Sequence, residues 1–193
     1  MINSEKPIEE IVVVLDACVL YPAPLRDFLL HIAEIALYQP KWTYILQNEW
    51  VRNLLKNRED LSEKDLLKTA KAMNNAFPNA LTKDFESLIE NIILPDIDDR
   101  HVVACAIKAS AKQIITFNLK DFPAKTLVNY DLKAVHPDKF ITNLLNTNPQ
   151  KVVQALKKQV LSLKNPPISE DKVLEKLEVC GLTQSIKLLK NIL

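Results

Sequence analysis

The stretch from Leu94 to Pro123 reads L-P-D-I-D-D-R-H-V-V-A-C-A-I-K-A-S-A-K-Q-I-I-T-F-N-L-K-D-F-P. It opens with three carboxylates in four residues, Asp96, Asp98 and Asp99. Apolar or small residues then recur at Val102, Val103, Ala106 and Ala109, the spacing of a helix with one buried face. The β-branched run Ile114-Ile115-Thr116 predicts a strand, and Asn118 and Asp121 stand just past its end. Carboxylates at a helix start and polar side chains beyond a strand end are where open α/β sheets place their chemistry.

Working outward, Ile11-Val12-Val13-Val14-Leu15 is a continuous apolar run typical of a strand buried on both faces, and it ends in Asp16. The turn Tyr21-Pro22-Ala23-Pro24 leads into a helical stripe of Leu25, Phe28, Leu29, Ile32, Ile35 and Ala36, which stops before Pro40. Thr43 caps a second helix carrying Ile45, Leu46, Trp50 and Leu54. Ser62-x-x-Asp65 resembles a capping box for a third, with Leu66, Leu67, Ala70, Met73 and Phe77. Asp84 to Asn91 reads as a short helix, and Leu132 to Val135 as a last strand.

Pro137 marks a boundary. Beyond it, Val152, Val153, Leu156, Val160 and Leu163 give one helix, broken by Asn165-Pro166-Pro167. A second runs from about Glu170 to a Gly181 stop, and a third, capped by Thr183, runs to Leu193. The expected fold is an α/β three-layer sandwich with a central parallel sheet over residues 11–136, then a small all-helical C-terminal extension over 137–193. Residues 1–10 read as a disordered lead.

Composition narrows the chemistry. Of 193 residues, 48% are hydrophobic, enough for a sizeable core. Gly181 is the only glycine, which excludes glycine-rich phosphate loops. Any phosphate handled here must be met by metal or by basic side chains. Net charge is +1, but residues 137–193 carry nine Lys against five Asp or Glu, and the remainder is net acidic. Cys18, Cys105 and Cys180 form no C-x-x-C motif, and reduced thiols in a cytoplasm are the simplest reading. The first residues lack a signal-peptide pattern, and no apolar run approaches the length of a membrane span.

The acids at element ends are Asp16, Glu49, Asp99 and Asp121. Parallel strands bring their C-terminal ends to one edge, so Asp16 and Asp121 share a rim that Asp99 reaches from its helix start. Converging carboxylates repel unless a cation sits among them. Oxygen-only donors select hard divalent ions, Mg²⁺ or Mn²⁺, which support phosphodiester hydrolysis. Each acid also has a structural reading: Asp99 as a helix N-cap, Asp121 as a turn former, Glu49 as a solvated helix residue. Asp16, directly after a buried strand, is the hardest to explain by packing. Asp96 and Asp98 read as loop or supporting groups. Arg52, Arg26, Lys41 and Lys120 are candidates for phosphate contact. His31, His101 and His136 lack zinc-ligand spacing, and only His101, beside the acids, merits testing as a proton donor. Trp42, Trp50 and Phe117 are better read as core than as base-stacking groups.

These residues resemble the PIN-domain nucleases, specifically the toxins of bacterial VapC-type toxin–antitoxin systems. The family's opening Asp-x-Asn/Ser/Cys block is matched by Leu15-Asp16-Ala17-Cys18-Val19-Leu20, and its helical Glu by Glu49. Its third block is matched by Asp99 before an Ala-rich helix, and its Thr-x-Asn-x-x-Asp-Phe block by Thr116 to Phe122. The resemblance implies a PIN-like fold and a Mg²⁺- or Mn²⁺-dependent endoribonuclease. It implies Asp16 and Asp99 as direct metal ligands, Glu49 and Asp121 as further ligands or water-positioning groups, and Asn118 as support. Thr116, Asp96, Asp98 and Arg100 become accessory positions. Family toxins cleave RNA, are commonly held by a cognate antitoxin protein, and often form homodimers. Many members carry Asn where this chain has Cys18, a weaker hydrogen-bond donor.

Two other functions stay open. An aspartyl-phosphate enzyme also clusters acids at strand ends, but Asp16-Ala17-Cys18 lacks the usual second Asp. A degenerate PIN scaffold would bind RNA or protein without cutting.

Overall fold

The computed structural model describes residues 11–193, so the expected lead lies outside the described residues. The elements run β1 (Val12–Leu15), α1 (Ala17–Leu20), α2 (Ala23–Glu34), β2 (Gln39–Lys41), α3 (Tyr44–Asn57), α4 (Glu63–Ala76), α5 (Glu86–Ile89) and α6 (Arg100–Lys108). They continue as β3 (Gln113–Ile115), α7 (Ala124–Leu127), β4 (Lys133–Val135), α8 (Pro137–Thr147), α9 (Pro149–Ser162), α10 (Glu170–Val179) and α11 (Thr183–Lys190).

All strand pairings are parallel, in the order β2-β1-β3-β4. Consecutive residues of a strand point to opposite faces, and Val13, Val14 and Leu15 are all fully buried. Both faces of the sheet are therefore covered, which gives the three-layer α/β arrangement. α6 packs on β1 and β3, while α2 lies beside β2 and carries α9 and α10 on its outer side. Leu25, Phe28, Leu29 and Ile32 of α2 meet a buried stripe of Val152, Val153, Ala155 and Leu156 on α9, within one continuous core.

Several helix starts follow the sequence signals. Thr43 Oγ1 accepts the Leu46 amide at 3.2 Å and opens α3. Ser62 Oγ accepts the Asp65 amide at 3.1 Å and opens α4, while its hydroxyl donates to the Asp65 carboxylate at 2.8 Å. Gly181, at φ 90°, turns the chain out of α10 in a conformation that favours glycine.

Three features differ from expectation. β2 is a three-residue edge strand, Gln39-Pro40-Lys41, with no β-branched residue; proline is tolerated there because only one side pairs. The C-terminal region holds four helices, because Phe140, Ile141, Leu144 and Leu145 bury one face of α8 directly after Pro137. Thr183 is the first residue of α11 and not its cap. That helix start is held from α8, where Asp138 accepts the Gln184 and Ser185 amides at 2.9 and 2.8 Å. Among the described residues, no helix is long and apolar enough to cross a membrane.

Candidate active site

β1 has β2 on one side and β3 on the other, so the sheet's order reverses beside it, and a crevice opens past the strand ends at such a point. Asp16 stands there, directly after β1. Its amide still belongs to the sheet, donating to the Ile115 carbonyl at 3.1 Å, while its side chain is carried out over the edge. The neighbouring strand end supplies Thr116, which is wholly buried and donates its hydroxyl to Asp16 Oδ2 at 2.6 Å. Thr116 Oγ1 also accepts the Asn118 amide at 3.0 Å, which fixes the loop that presents Asn118.

Cys18 takes part in the same arrangement. Its thiol donates to Asp16 Oδ2 at 3.1 Å, and its sulfur accepts the Phe117 amide at 3.3 Å. Burial first, and the nearby Asp16 charge second, push the Cys18 thiol up to about 12, so it stays protonated and able to donate. The cysteine thus supplies both a hydrogen-bond donor to the acid and a tie to the β3 loop.

A cleft of about 410 Å³ is lined by Asp16, Ala17, Cys18, Tyr21, Glu49, Arg52, Asn53, Asn57, Asp98, Asp99 and Asn118. Arg52 and Asn53 follow Glu49 on α3 by three and four residues, and Asn57 follows Asn53 by four, so the four share one side of the helix. Glu49, Arg52 and Asn53 stand together at the helix edge in the sequence; Asn57 and Tyr21 were not singled out, although the helical spacing from Glu49 could have found the asparagine. Tyr21 and Asn57 meet across the cleft wall, where the amide donates to the phenol oxygen at 3.4 Å.

Asp16 and Asp99 occupy the N-cap positions of α1 and α6, yet neither side chain makes a capping bond. Capping therefore does not account for Asp99. Asp96 does act as a loop residue, accepting the Asp98 amide at 2.9 Å. Burial, partly offset by the Thr116 and Cys18 hydrogen bonds, raises the Asp16 carboxyl above the ordinary range, and the Glu49 charge raises it further. Asp99 is raised to about 6 by burial, then by the charges of Asp16, Asp96 and Asp121, with His101 opposing. Asp121 is thus electrostatically part of the group, although it does not line the cleft.

The donor chemistry fits a hard divalent cation: the acids offer only oxygen, and two of them hold a negative charge with difficulty until a cation joins them. Among the described residues, no three His, Cys, Asp or Glu side chains are already gathered at ligand spacing. The acids line a shared cleft without closing into a cage.

The basic candidates separate cleanly. Arg52 is exposed at the cleft. Lys120 and Arg100 do not line it, and Arg100 Nε is buried without a partner. Arg26 is buried, donates to the Leu20 carbonyl at 2.9 Å and stacks 4.7 Å from the Trp50 ring centre, so it serves the core. Lys41 donates to the Asn79 carbonyl at 2.7 Å and lines a different cavity. Trp42 and Trp50 are fully buried.

Comparison with known proteins gives two matches. Residues 137–191 match the family described as the VapC50 C-terminal domain. A stretch of 103 residues is 33% identical to the Mycobacterium tuberculosis protein named "Putative ribonuclease VapC50", covering 52% of this chain and 61% of that protein. The chain is similar to VapC-type PIN proteins. It spans about six-tenths of the length of the curated relative it matches. No solved structure matches.

His101 is the further residue drawn to the site. Its Nε2 lies 3.1 Å from Glu49 Oε1, joining α6 to α3. Proximity to the acids was visible in the sequence; the pairing with a glutamate 52 positions away was not.

Proposed function

We propose that this chain is a Mg²⁺- or Mn²⁺-dependent endoribonuclease and the toxin of a type II toxin–antitoxin pair. In this reading residues 11–136 form the nuclease unit and 137–193 an extension to it. The observation that carries the proposal is the cleft at the reversal of the sheet, which Asp16, Glu49, Asp98 and Asp99 line together while burial and mutual repulsion raise Asp16 and Asp99. The mycobacterial relative's name supports ribonuclease as the activity.

Asp16, Asp99 and Glu49 would hold the ion, with Asp121 contributing negative charge from the rim. When bound, a hard divalent cation activates water and stabilises the departing oxygen of a phosphodiester. Thr116 and Cys18 orient the Asp16 carboxylate, and Asn118 is presented by the loop that Thr116 fixes. Arg52 offsets phosphate charge at the cleft mouth, with Lys120 as a more distant contact. RNA is the proposed substrate, an antitoxin protein the proposed partner, the homodimer the proposed assembly and the cytoplasm the proposed compartment.

The test is cleavage of a mixed RNA substrate by wild type, Asp16→Asn and Asp99→Asn, each with Mn²⁺ and with EDTA. We expect cleavage only by wild type with the ion. A folded, antitoxin-free protein that cuts no RNA under any condition would replace this proposal with a non-cutting scaffold.

A further inference from the structure

His101 is only 7% exposed, and its neighbours Val102, Val103 and Ala104 are core residues. An imidazole in that setting normally satisfies both nitrogens. Here Nε2 meets Glu49 Oε1 at 3.1 Å, while Nδ1 is buried with no hydrogen-bond partner. Nε2 is thus the nitrogen turned to the carboxylate, and Glu49 is the polar group it faces. Leaving Nδ1 unpaired is unfavourable, and the 3.1 Å approach to Glu49 is the polar contact the ring gains in return.

The placement of the pair is informative. α3 packs on α1 and α4, whereas α6 packs on β1, β3 and α5. The contact therefore links two helices with separate packing partners, and it does so beside the cleft. Glu49 lines the cleft and His101 does not, so the imidazole supports the carboxylate from behind. Oε1 is the carboxylate oxygen turned to the imidazole.

We propose that His101 is a positioning residue that holds Glu49 with one oxygen presented to the cleft, and that the cleft's affinity for a divalent cation depends on this support. The inference rests on the metal-dependent reading above. Groups that orient a liganding carboxylate typically change metal affinity by about 10–100-fold when removed.

Calorimetric titration of Mn²⁺ into full-length wild type, His101→Leu, His101→Asn, His101→Gln, Glu49→Gln and the His101→Leu/Glu49→Gln double variant tests this, with thermal melts in EDTA alongside. His101→Leu should weaken Mn²⁺ by about 10–100-fold. The Gln amide reaches the position of Nε2 and should restore binding to within about threefold of wild type. Asn, a carbon shorter, should not. The double variant should bind no more weakly than Glu49→Gln alone, because His101 acts through Glu49. Should His101→Leu fail to fold, the contrast between Asn and Gln carries the same decision. Unchanged Mn²⁺ affinity in His101→Leu and His101→Asn, with only the melting temperature lowered, would overturn the proposal and leave His101 as a helix-to-helix tie. A folded wild type that binds no Mn²⁺ would instead remove the metal-dependent reading, and this inference with it.

Discussion

Asp99 is the residue at which the cleft's electrostatics can be measured most directly. Its carboxyl is raised to about 6, so the folded protein favours the protonated form more than the unfolded chain does. The associated stability is fully present below the ordinary carboxyl range and is lost as pH rises through about 6. In EDTA, wild type should melt higher at pH 5 than at pH 7 relative to Asp99→Asn. The difference is roughly 1 kcal/mol once solvent screening at a half-exposed side chain is allowed for, or about 2–4 °C in a chain of this size. Parallel pH profiles for the two proteins would show that Asp99 carries no such strain. The acid itself was legible in the sequence, because a carboxylate before an Ala-rich helix is a local pattern. Its environment was not: the shift comes first from burial and then from the charges of Asp16, Asp96 and Asp121, of which only Asp96 is near it in the sequence. The bonds from Thr116 and Cys18 to Asp16 were hidden for the same reason, since each acts across space on a residue whose own sequence context says nothing of it.

At the level of elements, Asp138 does for α11 what Ser62 and Thr43 do for their own helices, but from another helix. Its carboxylate accepts two amides and, at 2.6 Å, the hydroxyl of buried Ser185. Asp138→Ala should destabilise the protein by about 2 kcal/mol, a melting shift of roughly 4–8 °C. Thr183→Ala, which removes no cap bond, should stay within about 0.5 kcal/mol of wild type. Equal melting shifts for the two variants in thermal denaturation would contradict this assignment. Elements announced by their own residues were readable: β1 by its run of valines, α3 and α4 by Thr43 and Ser62, the end of α10 by Gly181. β2 was not, because Gln39-Pro40-Lys41 becomes a strand only by pairing with β1. Nor was α8, whose apolar face follows a proline that also reads as a boundary.

For the whole molecule, the packing of α9 and α10 on α2 joins the C-terminal helices to the same core that contains β1 and both tryptophans. Unfolding followed by Trp42 and Trp50 fluorescence should coincide with loss of helical circular dichroism in one transition. Two separated transitions would mean that the C-terminal helices melt as an independent unit. The alternation of strands and helices made the overall class legible, since parallel strands require crossovers whatever their detailed register. The bond between Thr116 and Asp16 also has a bearing on biosynthesis, because its partners are 100 residues apart in the chain. At a translation rate of about 5–20 residues per second, roughly 5–20 s pass between the synthesis of one and the other. Whatever the cleft does, the nascent chain cannot do it until Thr116 has followed Asp16 out of the ribosome.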